Sequence, residues 1–427
     1  MARIVISPTN VVSYPEGGGH FWVFMQYAQA LRRLGCEVHW LERVHESGDP
    51  RRDRRAVATF LKRLERFDLG GTAILYSEPA EAGERARTRR YLGIERDRAE
   101  AIFRQADLLL NFHYAIAPDL LARFRRTALV DIDPGLLQFW LAHGQLRVAP
   151  HDVYFSTGET VGLPDTSIPD CGLPWLRIRP PVCLECWPYV HGEDCVAMTT
   201  VSGWWGDEWI TDGEILYENN KRVSFLEFVE LPRRTNQVLE LALCLGTGDP
   251  EDEVIPMREQ GRSHRRGESR VMDYGGDAED HALLESHGWR VRRAHEVAGS
   301  PEAYRAYIQG SRAEFSAVKP SCVRFRNAWV SDRSLCYLAS GKPVVVQDTG
   351  ASAFLPRRLG MFHFSTLDEI VDAIAAINAD YEKHCRAARE IAETYFEGKA
   401  ILEGVLHRSL ETLPENRNQR REKSCES

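Results

Sequence analysis

The stretch Ser331-Asp-Arg-Ser-Leu-Cys-Tyr-Leu-Ala-Ser-Gly-Lys-Pro-Val-Val-Val-Gln-Asp-Thr-Gly350 carries the clearest structural signal in the chain. It starts with good N-cap residues, its apolar residues recur at helical spacing from Leu335 on, and Gly341 is suited to end a helix. The run Val344–Val346 is typical of a strand buried in a parallel sheet. The stretch therefore predicts a helix and a strand, with the polar turn Gln347–Gly350 at the strand end where open α/β sheets bind ligands.

The rest of the chain repeats this alternation of helices and strands. Apolar runs that fit buried strands alternate with amphipathic stretches over residues 3–156 and again from Val196 onward. The segment Gly158–Pro188, rich in proline, glycine and tryptophan, separates the two halves and is interpreted as a crossover between domains. This pattern predicts an α/β protein with two doubly wound parallel sheets and a ligand-binding cleft between them.

Composition narrows the function classes. The chain has 427 residues, 43% of them hydrophobic, which is ample for two ordinary cores. A net charge of −8 argues against general nucleic-acid binding. Because no segment has the roughly 18 apolar residues of a membrane span and the start lacks a signal peptide, we expect a cytoplasmic protein without a transmembrane segment. The ten scattered cysteines favour reduced thiols.

The turn Ala339–Val345 resembles the small-Gly-x-Pro-Val-Val turn in the donor-binding half of GT-B glycosyltransferases, which have two facing Rossmann-like domains. A group of bacterial glycosyltransferases is similar over a longer stretch, through Trp329, Ser331–Ser334 and Tyr337–Gly350. The resemblance implies transfer of a sugar from a nucleotide-diphosphate sugar, as co-substrate, to a small-molecule or glycan acceptor. It implies no other cofactor and no metal.

The chain departs from the retaining branch of that family at two positions. Retaining members carry two glutamates eight residues apart, and Ala328 and Cys336 stand there in this sequence. Neither residue can bind a ribose or a phosphate as a glutamate does. This departure favours an inverting mechanism, with nucleotide contacts taken over by Asp332 and Arg333.

The resemblance also sets the expected domain boundaries. We expect an amino-terminal, acceptor-side domain over residues 1–190 and a donor-binding domain over residues 191–385. Helices over residues 386–412 should cross back to the first domain, and residues 413–427 should form a disordered polar tail. Residues 246–282 are polar and glycine-containing, and we interpret them as a surface loop.

The glycine-rich stretch Glu16–His20 follows the first predicted strand and opens a helix. Glycines let the backbone approach a ligand, and the resemblance places Gly18 and Gly19 at the donor. In inverting relatives a histidine here deprotonates the acceptor, so His20 is the candidate base. The alternatives are a histidine that only caps the helix, and a dinucleotide site with Glu42 as its ribose-binding acid.

Polar residues also follow the predicted strands that end near residues 112 and 132. Asp133 is the second catalytic candidate, and either it or Asp131 would orient His20 or act as the base. His113 would contact the acceptor or the donor. The alternative for Asp133 is a capping role for a helix that begins at Pro134.

The other candidate donor-binding residues lie in the second half of the chain. Trp289 would stack on the base, with a core position as the alternative. Lys319 and Arg333 would stabilise the diphosphate, with surface ion pairs as the alternative. The remaining candidates are the polar and glycine residues of the opening stretch: Ser331, Asp332, Ser334, Asp348, Thr349 and Gly350.

Two further clusters allow more than one interpretation. Cys183 and Cys186 form a C-x-x-C motif with Cys171 and Cys195 nearby, which allows a zinc site, a redox pair or ordinary packing. The tryptophans in the run 204–209 would either wall the sugar side of the cleft or pack between domains.

Two other functions fit the same residues. A nucleotide-sugar epimerase can share this fold and would convert the donor without an acceptor. A non-catalytic partner of another glycosyltransferase would keep the fold alone, although Lys319, Asp332 and Arg333, which a decayed site would be free to lose, are all present.

Overall fold

The computed structural model describes residues 1–78, 89–192, 194–205, 209–212, 215–245 and 276–411. The expected tail and most of the expected loop at 246–282 lie outside these residues. The described end of that loop is different from the prediction, because a helix already begins at Gly276. No helix in the described ranges is long and apolar enough to cross a membrane.

The strands of the described residues fall into two large sheets and one hairpin. They are β1 (Arg3–Ser7), β2 (Glu37–Arg43), β3 (Ala73–Ser77), β4 (Arg90–Leu92), β5 (Leu108–Asn111), β6 (Thr127–Asp131), β7 (Val153–Ser156), β8 (Trp175–Arg177), β9 (Ala197–Gly203), β10 (Trp209–Asp212), β11 (Ile215–Glu218), β12 (Val238–Cys244), β13 (Arg290–Arg293), β14 (Ala313–Ser316), β15 (Val344–Gln347) and β16 (Met361–Phe364).

The helices cover both faces of the two sheets. They are α1 (Gly18–Arg33), α2 (Pro50–Arg66), α3 (Arg96–Gln105), α4 (Pro118–Leu121), α5 (Leu136–Ala142), α6 (Lys221–Leu226), α7 (Gly276–Ser286), α8 (Ala294–Ala298), α9 (Pro301–Gln309), α10 (Pro320–Phe325), α11 (Asp332–Ala339), α12 (Leu367–Ala379), α13 (Tyr381–Tyr395) and α14 (Gly398–Glu411).

The first sheet has the order β4-β3-β2-β1-β5-β6-β7-β8, and only the edge strand β4 is antiparallel to its neighbour. The second sheet has the order β13-β12-β9-β14-β15-β16 and is parallel throughout. Strands β10 and β11 form a separate antiparallel hairpin. In both sheets the order reverses next to the first strand of the unit, which confirms the predicted doubly wound α/β architecture.

The opening stretch folds as predicted. Ser331 caps α11 by accepting a hydrogen bond from the Arg333 amide, and Gly341 follows the helix with a φ of 73°. Strand β15 is buried along its whole length. The all-apolar run is explained by this burial on both faces, because each side chain of the strand meets a helix layer.

Two segments of the chain differ from what the sequence predicted. The interpreted crossover contains β8, which pairs with β7 and extends the first sheet. The hairpin β10–β11 was not predicted, since its residues lack clear alternation.

The last helix, α14, packs on α1 of the first domain, and Arg126 Nε donates a hydrogen bond to the carbonyl of Ser409 in α14 at 2.8 Å.

Candidate active site

The ligand-binding edges of the two sheets face each other, because segments that follow strands of both sheets are in direct contact. Asn327, which lies beyond β14, donates its side-chain amide to the carbonyl of Pro134, which follows β6, at 2.8 Å. Trp22 in α1 donates its indole N–H to the carbonyl of Pro301 at 2.8 Å. Segments that follow strands of the two sheets therefore line one cleft.

Gly18 and Gly19 fit this contact between the domains more closely than they fit a ligand. A Cβ on Gly18 would lie 2.4 Å from the carbonyl oxygens of Ala298 and Ser300. A Cβ on Gly19 would lie 2.8 Å from the ring of Tyr304. Because the second domain already fills the space beside both glycines, their position does not fit the predicted donor contact.

His20 is a half-buried residue in the first turn of α1. Its Nε2 lies 2.8 Å from the carbonyl oxygen of Thr9, and its ring meets the edge of Phe24 with centroids 5.2 Å apart. A carbonyl only accepts, so Nε2 carries the proton of the neutral ring and Nδ1 is the basic nitrogen. Burial lowers the pKa of His20, so the ring is neutral near pH 7.

The aspartates after β6 occupy two different environments. Asp131 is fully buried and accepts hydrogen bonds from Gln138 at 2.8 Å and Ser156 at 2.7 Å. Burial raises the pKa of Asp131 to about 6. Asp133 is half-buried and faces the second domain, where it raises the pKa of Asp332.

The capping alternative for Asp133 does not match the structure. Helix α5 begins at Leu136 with Gly135 as the N-cap residue, two residues later than the alternative required. Gly135 adopts a φ of 90°, which favours glycine. The group that positions the His20 ring is the Thr9 carbonyl and neither aspartate.

Two other candidates of the first domain, Glu42 and His113, are buried and surrounded by protein. Glu42 accepts hydrogen bonds from the amides of Val11 and Val12 and from the Trp40 indole. Its carboxylate therefore holds the β1–α1 loop in place, and this does not fit the ribose-binding alternative. His113 is buried, and that burial lowers its pKa to about 3. It therefore stays neutral at physiological pH.

Arg333 is buried beneath the cleft, where its guanidinium is already bound. It donates to Glu314 Oε1 at 2.7 Å, to the Val201 carbonyl at 2.8 Å, and to the Ser316 hydroxyl. The ion-pair alternative therefore describes Arg333 better than the diphosphate contact does, although the pair is buried and not at the surface. Its charge still acts on the cleft, since it lowers the pKa of a neighbouring lysine.

That neighbour is Lys221, which was not among the predicted site residues. It is half-buried at the start of α6, and burial lowers its pKa to about 7, with Arg333 and Lys319 adding to the shift. Lys319 precedes α10, and Asn219 accepts a hydrogen bond from the Ser321 amide at 2.9 Å, which ties the starts of α6 and α10 together. The polar run Asn219-Asn-Lys221 was the available sequence signal.

Asp332 faces this lysine cluster from the start of α11. Burial raises the pKa of Asp332 to about 7, with Asp133 adding to the shift and Lys221 opposing it. Two carboxylates and two lysines from both domains thus share one partly dehydrated cleft. The pKa of Lys221 is lowered by burial and by neighbouring cations, so an anion that binds beside it stabilises the charged form of the lysine.

A small cavity lies beside α11, at the carboxyl ends of β14 and β15. It brings together three predicted residues, Ser331, Ser334 and Thr349, and two that were not predicted, Ser316 and His363. The Ser334 hydroxyl and the His363 Nδ1 are buried and find no hydrogen-bond partner among the residues that the structure describes. Unsatisfied buried polar atoms are rare, so this cavity offers hydrogen bonds to a polar ligand.

Asp348 and Gly350 support the loop that forms one wall of the cleft. Asp348 accepts from the Gly350 amide at 2.9 Å and pairs with Arg357. Burial opposes ionisation of Asp348, but these hydrogen bonds lower its pKa. Gly350 has a φ of 116°, and its α-carbon approaches the Arg326 carbonyl so closely that a Cβ would lie 2.9 Å away. Both residues therefore brace the loop.

Two of the predicted tryptophans, Trp289 and Trp204, are core residues. Trp289 is buried ahead of β13, at the edge opposite the cleft, and donates to the Val229 carbonyl at 2.9 Å. The core alternative therefore fits Trp289 better than base stacking does. Trp204 is also fully buried and donates to Asp280 at 2.8 Å.

The four cysteines proposed as zinc ligands do not come together. Cys171 contacts the Gln138 carbonyl, and Cys195 lies 3.5 Å from Lys342 Nζ. Only Cys183 and Cys186 are in contact with each other among these four. Within the part of the chain that the structure describes, no group of three or more potential ligands could hold a metal ion.

Comparison with solved structures gives full-length similarity at low sequence identity. An alpha-glucosyltransferase in complex with UDP and DNA matches with a TM-score of 0.57 and 10% identity, covering 95% of this chain and 98% of that one. Anabaena HepE in complex with UDP and glucose matches with a TM-score of 0.52 and 10% identity, covering 96% and 99%. Sucrose-phosphate synthase from Thermosynechococcus elongatus matches with a TM-score of 0.50 and 12% identity over the same shares.

The sequence itself matches no protein-family model and no curated protein. The agreement between the structures covers both sheets, since nearly the whole of each chain is aligned. The chain therefore has the GT-B fold of two facing Rossmann-like domains, as the turn Ala339–Val345 predicted.

Proposed function

We propose that this protein is a glycosyltransferase that moves a sugar from a nucleoside-diphosphate sugar to a hydroxyl of a small molecule or a glycan. Its main support is the grouping of charges in the cleft of a GT-B fold, where Lys319 and Arg333 lower the pKa of Lys221 and Lys221 in turn acts on Asp332. The UDP bound to the alpha-glucosyltransferase and to HepE makes UDP the first nucleotide to test.

The lysine cluster is suited to the leaving group. When the bond between the sugar and the diphosphate breaks, negative charge develops on the diphosphate, and nearby cations stabilise that charge. We propose that Lys221 and Lys319 do this, and that the positive charge of the buried Arg333 adds to the positive potential in the cleft. We propose that these residues make the reaction independent of a metal ion.

The cavity beside α11 is suited to another part of the donor. Ser334 and His363 offer unsatisfied hydrogen-bonding atoms there, and Ser331 and Thr349 line the same space. The cavity is small and lined by the second domain alone, so we expect the rest of the donor to lie in the cleft outside it and to be enclosed when the domains close. Closure would then exclude water from the reaction.

His20 is the proposed base. Its lowered pKa keeps the imidazole neutral, and the Thr9 carbonyl fixes Nδ1 as the nitrogen that accepts the acceptor's proton. Direct attack by the deprotonated acceptor inverts the configuration at the transferred carbon. The absence of glutamates at Ala328 and Cys336 favours this route over retention.

The first experiment is a thermal-shift panel of the purified protein with UDP, GDP, ADP, CDP and dTDP, with and without a chelator. We expect one nucleotide to raise the melting temperature by a few degrees, unaffected by the chelator. No rise with any nucleotide would argue against a donor site. A rise that the chelator removes would contradict metal independence.

Turnover separates the candidate functions. The sugar derivative of the stabilising nucleotide should release nucleoside diphosphate only when an acceptor is present, and His20→Ala should lower that rate by about 10²–10⁴-fold while nucleotide binding remains. Conversion of the donor alone to an isomer would identify an epimerase. Nucleotide binding with no turnover across acceptor pools would favour the non-catalytic partner.

A further inference from the structure

The C-x-x-C motif brings two buried thiols into contact. The Sγ atoms of Cys183 and Cys186 are 3.0 Å apart. The turn between them is closed by hydrogen bonds to the Cys183 carbonyl from the amides of Cys186 and Trp187, at 3.0 and 3.2 Å. Because a disulfide bond is about 2.0 Å long, the sulfurs need to approach each other by only about 1 Å to become bonded.

The hydrogen bond between the two thiols makes them unequal, and charged groups lie around the pair. Arg33 of α1 lies over the turn and pairs with Glu185 at 3.2 Å, and Arg305 of α9 donates to the Cys186 carbonyl at 3.2 Å. The hydrogen bond from the Cys183 thiol lowers the pKa of Cys186, and both arginines add to this, against the opposing effects of burial and of the Glu185 charge. The same hydrogen bond raises the pKa of Cys183. Cys186 is thus the nucleophile of the pair.

The turn is also attached to both domains. The Cys183 amide donates to the side chain of Gln26 in α1 at 2.8 Å. Trp187, which follows Cys186, packs against Trp22 of α1 with ring centroids 4.9 Å apart, and against Tyr304 of α9 with centroids 6.2 Å apart. A covalent change at the two sulfurs would therefore act where the first and second domains touch.

We propose that Cys183 and Cys186 are a redox-active dithiol that hydrogen peroxide converts into a disulfide. The Cys186 thiolate attacks one peroxide oxygen, the O–O bond breaks, and the products are a sulfenic acid on Cys186 and hydroxide, which takes up a proton to form water. The Cys183 sulfur then attacks Cys186 Sγ, the S–O bond breaks, and a second water leaves. Two thiols lose two electrons and two protons, and one peroxide becomes two waters.

The test uses the full-length protein and a cleavage site between the two cysteines. After brief treatment with hydrogen peroxide, free thiols are blocked with N-ethylmaleimide, and the denatured protein is cut after Glu185. The disulfide should keep the fragments that contain Cys183 and Cys186 joined until dithiothreitol is added. Its formation should be at least about tenfold faster than oxidation of Cys322, a thiol that is buried as well.

Three results would overturn the proposal. They are N-ethylmaleimide on both cysteines after peroxide treatment, a sulfinic acid on Cys186 with Cys183 still labelled, and a disulfide that joins either residue to another cysteine. The variants test the order of the steps. Cys183→Ser should leave a sulfenic acid on Cys186 that dimedone traps, whereas Cys186→Ser should leave Cys183 unoxidised over the same time. Even if a variant fails to fold, the fragment analysis of the full-length protein without substitutions shows whether the disulfide between Cys183 and Cys186 forms.

Discussion

Asn327 in the second domain donates its side-chain amide to the backbone carbonyl of Pro134 in the first, across the cleft, at 2.8 Å. The same side chain accepts a hydrogen bond from the Trp329 amide at 3.1 Å, and the residue is fully buried. It therefore links the loop before α11 to the turn that carries Asp133. This link keeps Asp133 close enough to Asp332 of the second domain to raise its pKa.

Asn327→Ala should lower the free energy of unfolding by about 1–3 kcal/mol, because it leaves a buried carbonyl and a buried amide without a partner. Urea denaturation followed by circular dichroism measures this change. The matched control is Asn378→Ala, where an exposed asparagine is removed and the expected change is within about 0.5 kcal/mol. Equal effects of the two substitutions would contradict the role of the cleft hydrogen bond.

The affinity for a nucleoside diphosphate should depend on the protonation of Lys221. The pKa of Lys221 in the free protein is lowered to about 7, and a bound anion raises it again. The charged lysine is therefore already present below pH 7. Above pH 7 binding must take up a proton, so affinity should fall by up to about tenfold per pH unit until the pKa of the complex is reached.

Calorimetric titrations with the stabilising nucleotide, in buffers with different ionisation enthalpies, measure this proton uptake directly. Lys221→Met should weaken binding and remove the proton uptake above pH 7. Lys383→Met, which removes an exposed lysine of α13, serves as the control and should change neither. Proton uptake that persists in Lys221→Met would assign it to another group.

Gly18→Ala should push α1 away from the second domain. Its new Cβ would lie 2.4 Å from two backbone carbonyl oxygens, at Ala298 and Ser300, and the backbone cannot yield as a flexible side chain does. We expect a lower melting temperature and a larger radius of gyration in small-angle X-ray scattering. Gly404→Ala, in the middle of α14 with open space around it, should leave both unchanged or raise the melting temperature, since alanine favours helix.

Arg333 and Glu314 should behave as a buried structural pair. Arg333→Met leaves the Glu314 carboxylate buried without its partner and should cost about 3–5 kcal/mol of stability. Adding Glu314→Gln should recover part of this loss, because no uncompensated charge remains. Denaturation of the single and double variants measures the recovery. A double variant as unstable as the sum of both singles would exclude the pairing.

Parts of the site followed from sequence because they depend on local chemistry. The capping role of Ser331 and the end of α11 at Gly341 are set by residues within a few positions of each other. The contacts of Arg333 were not predictable in the same way, since Glu314 and Val201 are far from it along the chain. Trp289 was ambiguous for the same reason, because an indole suits a core and a ligand equally.

The alternation of helices and buried strands, and with it the two doubly wound sheets, could be predicted from the amino-acid sequence alone. This information is local, because hydrophobic period and capping residues act over a few positions. Only the tertiary structure decided which polar residues share the cleft. Lys221, Lys319, Asp133 and Asp332 come from four separate segments. The shifted pKa values of Lys221 and Asp332 depend on burial and on the charges of the other segments, which no single segment encodes.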